Sequence, residues 1–92
     1  MDANTLTVPS PADFHVHLRQ GPMSELVTPH VALGGMHLAY VMPNVTPPLT
    51  SAEQTVEYIA QLQKHAPHTR FLGTMYLSPS ITPDEIRRAA AA

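Results

Sequence analysis

The sequence contains no cysteine, and only 13% of its 92 residues are charged. The absence of cysteine excludes a disulfide framework, a thiolate zinc site and a cysteine nucleophile. No apolar run approaches the roughly 20 residues that span a bilayer, and no secretory signal opens the chain. The net charge of −2 offers no basic patch to nucleic acid or to an anionic membrane. We therefore expect no nucleic-acid partner, no membrane partner and a cytoplasmic location.

So little charge is unusual in a short chain. A small domain has a large surface for its volume and needs polar residues to cover it. Here 43% of the residues are apolar, which is typical of material from the interior of something larger. We expect residues 12–92 to be part of a larger domain. Residues 1–11, with Pro9 and Pro11, are expected to form a lead-in segment.

The stretch DFHVHLR, residues 13–19, holds the side chains best suited to chemistry. We predict a strand over residues 12–18, in which successive side chains point to opposite faces. One face then carries His15, His17 and Arg19, and the other carries the apolar residues Phe14, Val16 and Leu18. Two imidazoles at this spacing can bind one metal ion, and a guanidinium can hold a carboxylate through two parallel hydrogen bonds.

Each of these features also has a simpler interpretation. A His-x-His pair in a soluble protein is more often a partly buried or surface pair than a pair of metal ligands, and an arginine is by default a solvated surface residue. Asp13 either supports the metal ligands or makes a hydrogen bond at the strand end. The spacing alone leaves these alternatives open.

Short apolar strands alternate with helices along the rest of the chain. Further strands are predicted over residues 36–42 and 70–77, and helices over residues 25–33, 51–65 and 86–92. Ser24 is a candidate cap for the first helix, which Pro29 interrupts. Thr50 and Ser51 both offer capping boxes for the second helix, and Thr82-Pro83-Asp84-Glu85 is predicted to start the third.

Such alternation predicts an α/β fold with parallel strands. We predict the first three β/α units of a (β/α)8 barrel, whose complete form takes roughly 250 residues. The alternative is a small open three-stranded α/β layer. The barrel is favoured because Arg19 and Asn44 follow the first and second strands, at the face where barrel enzymes carry their active sites. By default, Asn44 in a proline-rich loop is a turn former.

The DFHVHLR stretch, the segment Val41-Met42-Pro43-Asn44 and the following Pro47-Pro48 together resemble the dihydroorotases. The similarity is to the shorter, usually homodimeric type within the amidohydrolase superfamily, and it runs from about Ala12 to the end of the chain. It implies a metal-dependent hydrolase TIM (β/α)8 barrel and a homodimer. The implied reaction is the reversible hydrolysis of the cyclic amide of (S)-dihydroorotate to N-carbamoyl-L-aspartate in pyrimidine biosynthesis.

The resemblance also implies roles for individual residues. His15 and His17 match the pair that binds one of two zinc ions, and His17, Arg19 and Asn44 match residues at the substrate, the last two at its carboxylate. The family further requires a carboxylated lysine, two more histidines and an aspartate base. Lys64, the only lysine in the sequence, lies on a predicted surface helix and does not match. We therefore expect no catalytic residue within the chain and an inactive fragment.

Two other functional interpretations stay open. The chain is either a non-catalytic pseudo-enzyme or scaffold, or part of a cyclic-amide hydrolase that acts on a neutral ring, against which Arg19 argues. Four histidines are expected outside the site: His30, His37, His65 and His68. Of these, His37 begins the second strand at the opposite end of the sheet and is expected to be structural.

Overall fold

Three strands and four helices alternate along residues 4–92, the part of the chain that this computed structural model describes. The strands are β1 (Ala12–Val16), β2 (Leu38–Val41) and β3 (Arg70–Leu72). The helices are α1 (Gly21–Val27), α2 (His30–Leu33), α3 (Ala52–His65) and α4 (Pro83–Ala91). Within the described residues, no helix has the length and apolar character needed to cross a membrane. Residues 1–3 of the predicted lead-in lie outside the description, and residues 5–11 are exposed and form neither helix nor strand.

The strands form one parallel sheet in the order β1-β2-β3, as the alternation of elements predicts. Leu38 at the start of β2 pairs with Ala12 on one side and with Arg70 on the other. Because the strands are parallel, their carboxyl ends meet at one edge of the sheet. The segments that follow β1 and β2 therefore leave the sheet side by side.

β1 departs from the strand predicted over residues 12–18. It ends at Val16, and its register shifts between Asp13 and Val16. Phe14 is 73% exposed and does not fill a face together with Leu18, which is 2% exposed. A bulge of this kind interrupts the two-residue alternation of side chains. The prediction that one strand face carries His15, His17 and Arg19 is therefore wrong for His17 and Arg19, which both lie beyond the strand.

The hydrophobic core joins the middle of the sheet to helix α3. Ala39 and Val41 of β2 and Leu62 of α3 are each at most 1% exposed. The cluster also contains the buried residues Leu18, Val31, Leu49, Tyr58, Ala66 and Phe71. Tyr58 and Leu62 lie four residues apart, so the same face of α3 supplies both of them to the core.

Capping residues fix the starts of α3 and α4. The Ser51 hydroxyl accepts a hydrogen bond from the N–H of Gln54 at 3.1 Å. The Thr82 hydroxyl accepts one from the N–H of Glu85 at 3.3 Å, and Pro83 begins the helix. Both starts follow the expected pattern of a hydroxyl that bonds a free backbone N–H of the first turn. Both predicted helix starts are confirmed.

The first helix begins earlier than the sequence predicts. Gly21 has a φ of +58°, a conformation open to glycine, and it lets the chain turn directly from the β1 loop into α1. Ser24 is not the cap, because it lies inside α1 with its hydroxyl oxygen 3.2 Å from that of Thr28. The predicted interruption at Pro29 is confirmed, since α1 ends before it and α2 follows.

β3 covers residues 70–72 and not the predicted 70–77. Beyond Leu72 the chain makes its hydrogen bonds outside the strand ladder. The Thr74 hydroxyl donates to the carbonyl of Val41 at 2.6 Å, and the N–H of Tyr76 donates to the carbonyl of Leu49 at 2.6 Å. These bonds draw the segment after β3 towards the end of β2, so it does not continue as a strand.

Candidate metal and substrate site

The candidate residues lie where β1 and β2 end. The N–H of Met42 donates to the carbonyl of Val16 at 2.9 Å, which joins the two strands at their carboxyl ends. His17 and Arg19 follow on the β1 side, and Asn44 follows on the β2 side. The structure therefore brings the two segments that carry the predicted site residues to one edge of the sheet.

The imidazole rings of His15 and His17 form a close pair. Their centroids are 5.2 Å apart and their planes are inclined by 61°. Two rings at this distance can each turn a nitrogen towards one ion, for which zinc requires Zn–N bonds of about 2.0–2.1 Å. Residues 4–92 contain no group of three or more His, Cys, Asp or Glu side chains that could hold a metal ion. The pair thus offers two of the three protein ligands that a catalytic zinc ion normally has.

Asp13 makes a local hydrogen bond beside this pair. Its carboxylate oxygen Oδ1 accepts from the backbone N–H of His15 at 3.0 Å. The bond spans the part of β1 where the register shifts, so it fixes the backbone from which the His15 ring projects. Of the two roles expected for Asp13, this contact supports the hydrogen-bonding one.

Arg19 has an unusual backbone conformation. Its φ of +60° lies in the left-handed region, and it is the one non-glycine residue with a positive φ in residues 4–92. Its carbonyl accepts a hydrogen bond of 2.6 Å from the hydroxyl of Tyr58, and the residue is exposed. Arg19 and His17 both line a cavity of about 370 Å³ beside α1 and α2. The structure therefore brings these two predicted site residues together.

Asn44 lies in the tight loop that follows β2. The N–H groups of Val45 and Leu49 both donate to the carbonyl of Pro43, each at 3.0 Å. Asn44 is exposed at the start of this loop. The turn expected from the proline-rich sequence is thus present, and it leaves the Asn44 side chain accessible at the same edge as Arg19.

Gln20 links the loop between β1 and α1, residues 17–20, to the loop between β2 and α3, residues 42–51. These are called the Arg19 loop and the Asn44 loop. The sequence analysis missed this contact. Its side-chain amide donates to the carbonyl of Thr46 at 3.1 Å, and its side-chain oxygen accepts from the N–H of Thr46 at 2.9 Å. The two residues are separated by 26 positions, and no sequence spacing indicates such a pair. These two bonds fix the distance between the loops that carry the proposed anion-binding residues.

Tyr58 is the second residue that the sequence analysis missed, because its contact with Arg19 spans 39 positions of sequence. Burial raises the pKa of its phenol to about 12, against a smaller lowering effect of the Arg19 charge. A phenol with this pKa stays protonated at neutral pH, so it remains a hydrogen-bond donor to the Arg19 carbonyl.

Two of the remaining histidines make backbone contacts. A ring nitrogen of His37 lies 2.8 Å from the carbonyl of Pro11, at the amino-terminal end of the sheet, which fits the structural role expected for it. A ring nitrogen of His30 lies 3.1 Å from the carbonyl of Leu26. His65 and His68 lie at the carboxyl end of α3 and beyond it.

Three parallel β/α units, with polar site residues at the carboxyl ends of the first two strands, are the arrangement found in a segment of a (β/α)8 barrel. The chain is 63% identical over 90 residues to a dihydroorotase of Mycosarcoma maydis. This alignment covers 98% of the chain and 23% of the relative. It is 53% identical over 78 residues to the dihydroorotase of Saccharomyces cerevisiae, in an alignment that covers 85% of this chain and 21% of the relative. Comparison with models of protein families gives no match.

Solved structures agree with these sequence relatives. The Saccharomyces cerevisiae dihydroorotase in complex with 5-fluoroorotic acid superposes with a TM-score of 0.84 and 51% identity, covering 87% of this chain and 22% of that one. The dihydroorotase of Campylobacter jejuni gives a TM-score of 0.77 at 28% identity, covering 89% and 24%. The chain is thus related to the dihydroorotases, as its motifs predict, and it spans about a quarter of the length of the curated relatives it matches.

Proposed function

We propose that this chain supplies three β/α units of a dihydroorotase, an enzyme that reversibly hydrolyses the cyclic amide of dihydroorotate to N-carbamoyl-aspartate. The observation that carries the proposal is the close pair of His15 and His17 beside Arg19, in a chain that is 63% identical to a dihydroorotase. Because the chain spans about a quarter of such relatives, the remaining parts of the active site belong to other segments of the complete enzyme.

The histidine pair fits a share of a metal site. The imidazoles of His15 and His17 offer nitrogen ligands, which suit zinc, and their ring centroids lie 5.2 Å apart. A bound zinc ion supplies Lewis-acid activation of the amide carbonyl and of water. The resemblance implies two zinc ions per site, a bridging carboxylated lysine and further histidines. The contribution of this chain is therefore to hold one metal from one side.

Arg19 and Asn44 are proposed to bind the substrate carboxylate. Arginine offers a planar set of donors that matches a carboxylate through two hydrogen bonds, and a neutral amide adds a donor without further charge. Both residues are exposed at the carboxyl edge of the sheet, and the Gln20–Thr46 hydrogen bonds tie their loops together. His17, between the metal and Arg19, is proposed to contact substrate as well. A cyclic-amide hydrolase with a neutral substrate would have no use for this arginine.

A non-catalytic relative is the second candidate. The pair of metal-ligating side chains in residues 4–92 is compatible with both candidates, because further ligands would come from other segments. A non-catalytic relative would keep the sheet and the loops without supporting turnover. The homodimer expected from the resemblance and the cytoplasmic location expected from the composition stay predictions under either candidate.

A chimeric enzyme separates the two candidates. Residues 12–92 replace the matching segment of the Saccharomyces cerevisiae dihydroorotase, and the consumption of dihydroorotate is measured. We expect turnover that is lost in His15→Ala and in His17→Ala, together with bound zinc. His68→Ala, at an exposed histidine beyond α3, is the matched control and should keep full activity. A folded, zinc-loaded chimera without turnover would reject the proposed activity and favour the non-catalytic relative.

A further inference from the structure

The conformation of Arg19 is one that its own sequence does not favour. Residues with a Cβ rarely adopt a φ of +60°, because the side chain then crowds the backbone. Such conformations persist where neighbouring contacts hold them, and they concentrate at functional positions. The contact that holds Arg19 is therefore a candidate for a role in the site.

The residue that supplies this contact is Tyr58 of α3. It is 9% exposed, and its hydroxyl donates to the Arg19 carbonyl at 2.6 Å across 39 positions of sequence. Its ring belongs to the core cluster with Leu18 and Leu62. The ring and the hydroxyl thus have separate partners, since the ring packs in the core and the hydroxyl reaches the loop that carries Arg19.

We propose that Tyr58 is a positioning residue, whose hydroxyl holds the Arg19 backbone so that the guanidinium stands at the substrate carboxylate. This inference rests on the proposed function, because it assumes that Arg19 binds that carboxylate. The two hydrogen bonds between Gln20 and Thr46 tie the same loop to the Asn44 loop, and the Tyr58 bond ties it to α3. Together these contacts leave the Arg19 loop little freedom before substrate arrives, which lowers the cost of ordering it on binding.

The hydroxyl is available as a donor throughout the working range of pH. Burial raises the pKa of Tyr58 to about 12, so the phenol does not ionise near neutrality. The effect of the hydroxyl on substrate binding should therefore not change between pH 6 and 9, well below that pKa.

Tyr58→Phe in the chimera tests the proposal, because it removes the hydroxyl and keeps the ring in the core. We expect the KM for dihydroorotate and the Kd for 5-fluoroorotate to rise about tenfold, with kcat and zinc content nearly unchanged. This is the pattern expected when the lost interaction stabilises the bound substrate and the transition state equally. Ile59→Val on the same helix is the control for a small loss of packing, and it should lower the melting temperature without raising KM.

A double-mutant cycle shows whether Tyr58 acts through Arg19. In an Arg19→Ala background, Tyr58→Phe should have no further effect on KM or on the Kd for 5-fluoroorotate. Equal effects of Tyr58→Phe with and without Arg19, or unchanged constants in the single variant, would overturn the positioning role. If the unsubstituted chimera binds 5-fluoroorotate but does not turn over dihydroorotate, the proposed activity fails. The Kd for 5-fluoroorotate then still tests the positioning role of Tyr58. A folded chimera that binds no 5-fluoroorotate would reject the proposed activity and the positioning role together.

Discussion

At Arg19, backbone conformation and side-chain chemistry favour different residues. The left-handed conformation costs a residue with a Cβ about 1–2 kcal/mol, so glycine would suit the turn better. Glycine has no cation, however, and the carboxyl edge of the sheet then lacks the group best suited to a carboxylate. The proposed anion contact explains why an arginine occupies this position despite its φ of +60°.

Replacing Arg19 by lysine separates charge from geometry. Lysine keeps the positive charge but loses the planar arrangement of donors. We therefore expect a lower kcat/KM for dihydroorotate in the chimera, equivalent to a loss of about 1–3 kcal/mol of transition-state stabilisation. Arg70→Lys, on an exposed residue at the start of β3, is the matched control and should not alter the kinetics. An Arg19→Lys enzyme with unchanged kinetics would argue against the carboxylate contact.

At the scale of elements, α3 and the segment that follows β3 pack closely at Gly73. A Cβ built on Gly73 would clash with Cγ2 of Thr55 and lie 3.4 Å from Cγ1 of Ile59. Glycine is thus required by space, where the segment after β3 passes over α3. The segment after β3 thus contacts α3 at Gly73 and the end of β2 through the Thr74 hydroxyl.

Gly73→Ala should therefore destabilise the chimera by about 1–3 kcal/mol through overpacking, measured by denaturant unfolding. Thr55→Ser removes the methyl group that the new Cβ meets but keeps the hydroxyl that donates to the Ser51 carbonyl. The double variant should recover most of the loss. A Gly73→Ala protein as stable as the parent would show that β3 and α3 adjust more freely than this packing indicates.

The sequence predicts those elements whose signals are local. Ser51 and Thr82 bond N–H groups three residues on, so the helix starts can be read from neighbouring residues. Ser24 misleads because the left-handed turn at Gly21 starts α1 earlier. The contacts of Gln20 with Thr46 and of Tyr58 with Arg19 span 26 and 39 positions, and only the folded chain brings these residues together. The histidine pair was predictable because its two members are neighbours in sequence.

The molecule as a whole exposes much apolar surface. Phe14, Leu33 and Leu77 are between 73% and 86% exposed, and within residues 4–92 the strands β1 and β3 each pair on one side only. Unpaired strand edges and exposed apolar side chains favour association with other chains. Such exposed surfaces are expected of a chain that spans about a quarter of the length of its relatives, because the segments that would cover them lie in the rest of those proteins.

The 92-residue chain produced alone is therefore expected to lack a cooperative thermal transition and to bind zinc weakly. Two histidines give an incomplete zinc site, and the open edges leave no closed core. Calorimetry and zinc titration of the purified chain test this expectation. A sharp melt of the monomer, or chelator-sensitive turnover of dihydroorotate that disappears in His17→Ala, would contradict it.

At the centre of the proposed site, His15 and His17 would hold a catalytic metal beside an anion site formed by Arg19 and Asn44. Anomalous X-ray scattering from crystals of the zinc-loaded chimera with 5-fluoroorotate measures this directly. We predict a zinc peak about 2.0–2.1 Å from one nitrogen of each histidine. The ligand carboxylate should lie within hydrogen-bond distance of Arg19 and Asn44. A zinc peak that neither histidine contacts, or a carboxylate held away from Arg19, would contradict the account.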